Sequence, residues 1–78
     1  MEPESELNSA VAEAVSLVNR HSGETSIHLC FADDPAGIDF IANAARLDNG
    51  RFEFQAGFET YGGAIDELAN IEAVRISH

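Results

Sequence analysis

Lysine and tryptophan are absent from these 78 residues, and cysteine, methionine and tyrosine each occur once. The only cations besides histidine are Arg20, Arg46, Arg51 and Arg75, scattered along the chain against 14 acids, for a formal net charge of -10. Neutralising a phosphate backbone takes Lys and Arg gathered on one face. Direct binding of nucleic acid is therefore disfavoured. With Cys30 alone, no intrachain disulfide can form, which suits a reducing compartment. No apolar run reaches the ~18 residues of a membrane span. The start Met1-Glu2-Pro3-Glu4 has the wrong charge for a signal or transit peptide. These absences lead us to expect a soluble, cytoplasmic protein with no membrane partner.

The chain is 45% apolar, too much for a disordered acidic tail. Its length suits one domain, 1–78, with one core. A core of this size leaves about 3–5 kcal/mol of net stability, so self-association would help.

Leu7, Val11, Ala14, Val15 and Val18 recur at helical spacing, flanked by Ala10 and Leu17, and predict an amphipathic helix over 5–20. Ser5 is the expected N-cap, with Glu2, Glu4 and Glu6 at the positive end of the dipole. Gly23 is placed to end the helix. Residues 25–32 alternate, with Ile27, Leu29 and Phe31 on one side and Ser26, His28 and Cys30 on the other, as in a half-buried strand. Asp33-Asp34-Pro35-Ala36-Gly37 reads as a turn.

Asn49-Gly50 between two alternating runs is the signal for a type I′ hairpin. It predicts strands over 38–47 and 52–61, with Asp48 facing Arg51, Leu47 facing Phe52, Arg46 facing Glu53, Ala45 facing Phe54 and Ile41 facing Phe58. Leu47, Phe52, Ala45, Phe54, Ala56, Ile41 and Phe58 then share a core face. Asn43 falls among them opposite Ala56, and must find a hydrogen-bond partner or sit near an edge. The second face carries Phe40, Ile38, Ala42 and Tyr61 away from the turn, which suggests coiling into a small barrel or cover by a partner. Gly57 and Gly62-Gly63 are the expected bends. Residues 64–70 suit a short helical turn, and 71–76 a closing strand with Val74 and Ile76 inward.

The expected fold is thus α+β: an N-terminal amphipathic helix on a curved antiparallel sheet of about four strands, in the order α-β-β-β-(short helix)-β. With its closing strand Ile71-Glu72-Ala73-Val74-Arg75-Ile76, this pattern is similar to small SH3-like or Sm-like barrels. The likeness is one of element order, and no functional residue is carried over from it.

Few residue constellations point to chemistry. His28-x-Cys30 puts two ligand-type side chains on one strand face, and His21 with His78 could complete a four-ligand zinc set. The spacing matches no zinc pattern, and neither a metal nor a cofactor is expected. Side chains two apart on a strand run parallel, so His28 is not expected to serve Cys30 as a base. Asp33, Asp34 and Asp39 form one local acidic group, and Asp66, Glu67 and Glu72 another, neither with calcium-loop spacing. Gly62-Gly63 lacks the lysine and the context of a phosphate loop.

The first expectation is a non-enzymatic acidic module that docks on a basic surface of another protein. Its contacts would be Asp33, Asp34, Asp39, Asp66, Glu67 and Glu72, with Phe40 or Tyr61 as an apolar anchor. Its sharpest form is an inhibitor that mimics nucleic acid, by analogy of size and charge alone with phage-encoded inhibitors, some of which are such mimics. The alternatives are a structural homo-oligomer joined through hairpin edges, and a small enzyme or ligand-binding protein using Cys30 and His28.

Overall fold

The structure, a computed structural model, describes residues 3–76. Helix α1 spans Pro3–Arg20. It begins two residues earlier than the sequence suggested, at a proline, whose missing N–H would lack a helical partner anyway. Ser5 is therefore inside the first turn rather than at the N-cap, and Glu2 lies outside the described residues. Val11, Ala14 and Val18 are buried, with Leu7, Ala10 and Val15 packed alongside. At the other end the buried Thr25 donates from Oγ1 to the His21 carbonyl at 3.1 Å. The same carbonyl accepts from the Glu24 N–H at 3.0 Å, so backbone and side chain together satisfy this acceptor at the helix end.

Six strands follow: β1 (Thr25–Phe31), β2 (Asp34–Ala42), β3 (Ala44–Asp48), β4 (Arg51–Ala56), β5 (Glu59–Ala64) and β6 (Leu68–Arg75). The expected short helical turn within 64–70 is a 3-10 turn, Ile65–Glu67, shorter than expected because β6 begins at Leu68 rather than at 71. The strands form two antiparallel three-stranded sheets, ordered β2-β1-β6 and β3-β4-β5. Helix α1 packs against β3 and β6, one strand from each sheet.

The hairpin register holds from the turn to Ala44: Asp48 pairs Arg51, Leu47 pairs Phe52, Arg46 pairs Glu53, Ala45 pairs Phe54 and Ala44 pairs Gln55. Asn49 and Gly50 have φ of 53° and 78°, the left-handed pair that a type I′ turn needs. Past Ala44 the expected register fails, because the strand over 38–47 is really two. It breaks at Asn43; β2 leaves to pair with β1, so that Ile41 faces Ser26 rather than Phe58. The strand over 52–61 likewise breaks at a Gly57-Phe58 turn. Phe58 sits at that turn and is fully exposed, and Ile41 and Leu47 are exposed as well. These three residues are not core. Gly62 and Gly63 do not bend the chain; they lie within β5, paired with Glu53 and Phe52.

Asn43 is held on several sides. Its N–H donates to the Gln55 carbonyl at 2.7 Å, and its carbonyl accepts from Ser22 Oγ at 2.5 Å. Its side-chain Oδ1 accepts from Gly57 N–H at 2.8 Å, tying the first break to the second. Asn19 of α1 reaches β3 in the same region: its Nδ2 donates to the Ala45 carbonyl at 3.0 Å, and its Oδ1 accepts from the Ala45 N–H at 3.3 Å.

The two sheets meet through aromatic rings. Phe31 lies 6.4 Å from Phe52, Phe52 5.8 Å from Phe54, Phe54 5.9 Å from Phe40, and Phe40 4.4 Å from Tyr61, centroid to centroid. Ile27, Leu29, Ala42, Ile65, Leu68 and Ile71 complete the core with the helix. In β6 the inward residues are Leu68, Ile71 and Ala73, not Val74. Val74 pairs with Ser26, on the outward side of β1, and is 63% exposed.

Replacing Asn43 by alanine removes the Gly57 contact while leaving both backbone bonds of residue 43 in place. The expected loss is about 1 kcal/mol in urea unfolding, the worth of one such bond. An Asn19→Ala variant, which frees both backbone groups of Ala45, should lose about 1–2 kcal/mol. An unfolding midpoint unchanged in both would show that neither side chain holds the sheets in place.

Candidate functional site

Strand β1 is central in the first sheet, so its alternation sets both faces. Burial of Thr25, Ile27 and Leu29 turns Ser26, His28 and Cys30 outward. The register with β2 and β6 then builds rows across the outer face. Ile41, Ser26 and Val74 form one, and Asp39, His28 and Glu72 the next. Cys30 follows, opposite Asn70 of β6. Ile41, Val74, Asp39 and Glu72 are exposed, while Ser26, His28 and Cys30 are half-buried.

On the β2 side the pairing shifts between Leu29 and Phe31, so that residues 35–37 of β2 stand opposite Cys30. Bulges of this kind bend a strand and re-aim nearby side chains. Gly37 lies here with φ of +74°. A Cβ at this position would sit 2.8 Å from the Leu29 carbonyl oxygen and 3.0 Å from both Cys30 Sγ and His28 Cε1. Glycine thus lets the backbone close over the two side chains.

His28 and Cys30 do not run parallel, as their spacing had implied. His28 Nε2 is 3.1 Å from Cys30 Sγ, and His28 Nδ1 is 2.5 Å from Asp39 Oδ1. An ionised carboxylate can only accept, so Nδ1 then donates to Asp39, and in the neutral imidazole Nε2 is the acceptor that faces the thiol. The order Cys–His–Asp is that of an activated nucleophile with its base and the group that orients the base.

The remaining sequence candidates separate into two places. Asp33 and Asp34 lie at the β1–β2 turn and the start of β2, and Asp66 and Glu67 on the 3-10 turn, all exposed. The Ala32 N–H donates to the Glu67 carbonyl at 2.9 Å and brings these four acids to one end of the molecule. Asp39 and Glu72, each grouped by sequence with one of those pairs, instead flank His28. Phe40 is not exposed: it lies in the core, stacked at 14° on the half-buried Tyr61. Its side of β2 faces the second sheet, which removes it as an apolar contact. Ile41, Val74 and Phe58, which sequence reasoning had placed inside, are exposed instead.

Among the described residues, no group of three or more His, Cys, Asp or Glu side chains is placed to hold a metal ion. His78 lies outside the described residues. Also among the described residues, no helix is long and apolar enough to cross a membrane. No protein-family model, no curated protein and no solved structure matches the chain.

Gly37→Ala should cost at least ~1–2 kcal/mol, the penalty for a left-handed non-glycine residue, plus displacement of His28 and Cys30. Urea unfolding reads the first effect and the His28 imidazole resonances the second. A variant with unaltered stability and unaltered resonances would mean that the bulge does not shape this face.

Proposed function

We propose that this chain is a non-enzymatic protein-binding module that docks on a basic surface of a partner, with the outer face of the β2-β1-β6 sheet as the docking surface. The observation that carries the reading is the juxtaposition of two rows. The exposed apolar side chains Ile41 and Val74, either side of Ser26, lie next to the exposed carboxylates Asp39 and Glu72, either side of His28. Such a face offers anchors that gain by burial beside charges that select a cationic partner. The four acids at the Asp33–Glu67 end and the net charge of -10 extend an attractive field toward the same class of partner. Phe58, at the far end of the second sheet's β4–β5 turn, is a further apolar contact.

In its sharpest form, the module inhibits a nucleic-acid-handling protein by occupying a surface built for phosphates. The fold reading that accompanies it is a small SH3-like or Sm-like barrel. Two features support that: one long segment bends at Asn43 to serve both sheets, and the last strand returns to pair with the first.

The test is a tagged pull-down from nuclease-treated lysate, washed at low and then high salt, with wild-type and face variants side by side. The expected result is one basic partner released by salt. Asp39→Asn with Glu72→Gln should slow association, and Ile41→Ser with Val74→Ser should weaken affinity about tenfold or more, mainly through faster dissociation. Capture that survives molar salt and is indifferent to all four substitutions would sink the proposal. Recovery of only the untagged chain would replace it with self-assembly.

A further inference from the structure

We propose that Cys30 is a reactive thiol, activated by His28 and positioned by Asp39, that forms mixed disulfides with small neutral or cationic disulfides. The motivating geometry is the continuous array Sγ–Nε2 at 3.1 Å and Nδ1–Oδ1 at 2.5 Å, carried by adjacent antiparallel strands. It stands apart from the docking proposal, since the chemistry needs no partner protein.

The array has the parts that thiol–disulfide exchange needs. The nucleophile is the thiolate, so a base within hydrogen-bond reach raises the reactive fraction at neutral pH. His28 Nε2 takes the Cys30 proton. The thiolate then attacks one sulfur of a disulfide R–S–S–R. A bond forms between Cys30 Sγ and that sulfur while the original S–S bond breaks. The departing RS⁻ leaves with the electron pair and takes the proton from His28. Cys30 and one half of the disulfide end as a mixed disulfide, the other half as free RSH, with no further oxidant required.

Access and charge define the reagent class. Cys30 is half-buried on the outer sheet face and not in the core. The charged groups facing the array are Asp39 from β2 and Glu72 from β6, both acidic. An anionic disulfide is repelled there and a cationic one attracted, to a degree that salt reduces.

The experiment uses the intact chain and follows thiopyridone release from 4,4′-dithiodipyridine, a neutral disulfide, between pH 5 and 9. Cystamine serves as the cationic comparison and 5,5′-dithiobis(2-nitrobenzoate) as the anionic one. The wild-type protein should react about tenfold or more faster at pH 6–7 than the same chain unfolded in urea, with the alkaline rise of an ordinary thiol replaced by a flatter profile. His28→Gln should lose that advantage and restore the ordinary profile. Asp39→Asn should lose part of it, shifting the pH profile while leaving the urea unfolding midpoint close to that of wild type, as for other exposed substitutions. Low salt should favour cystamine over the anionic reagent. A folded protein no faster than the unfolded chain, or a His28→Gln variant as fast as wild type in the same profile, overturns the proposal.

Discussion

The bend at Asn43 is the constraint on which the rest of the molecule depends. A single long hairpin would have two faces and only one helix to cover them. Breaking one arm at Asn43 and the other at Gly57-Phe58 lets β2 fold across to β1 while β3 stays with β4. The two inner faces then cover each other. The bonds around the bend are made by groups that the break itself frees: the Asn43 and Gly57 amides would otherwise have lost their ladder partners. Because of this closure Phe40 and Tyr61, from β2 and β5, stack at 4.4 Å instead of facing water. The apolar second face that suggested a partner is largely buried by the chain itself.

Charge contributes little to holding this arrangement. Among the residues whose side chains the structure describes, no acidic one is buried. The ion pairs Arg46–Glu53 at 3.6 Å and Arg75–Glu24 at 4.0 Å are partly exposed, where such pairs contribute about 0–1 kcal/mol. Cohesion comes instead from the helix stripe, the aromatic series and the β1 interior. The carboxylates are consequently free to act at long range, on whatever approaches, without cost to the core. Removing a few of them should alter encounters with other molecules far more than the fold.

Local patterns were legible in the sequence where one strand or one helix decided the outcome. The helix stripe, the inward set of β1 and the Asn49-Gly50 hairpin each rest on spacing within a few residues. What escaped was decided between distant segments. Leu47 and Phe58 look like core residues in an uninterrupted hairpin, and only the second break puts Phe58 at a turn. Val74 and Ala73 are interchangeable in a short apolar strand until pairing with Ser26 and Ile27 chooses between them. The His28–Cys30 contact was hidden for a related reason: an ideal strand keeps such side chains parallel, and the irregularity at Gly37 belongs to the neighbouring strand. Asp33-Asp34-Pro35-Ala36-Gly37 carried that signal as a turn, whereas most of it is the bulged opening of β2.

The candidate face inherits its precision from the core behind it. Residues alternate along β1, so the burial of Ile27 and Leu29 at 0% exposure determines that His28 must point out between them. A slip of one residue would put an imidazole among aromatic rings and expose two large aliphatic side chains, a loss of several kcal/mol in a domain with little to spare. The same argument fixes Asp39, since Phe40 on one side and Ile38 on the other pack inward. The His28–Asp39 pair is therefore not a chance meeting of mobile surface groups. Its two backbones are registered by buried neighbours, and an exposed polar array gains the fixed geometry that an isolated surface pair would lack.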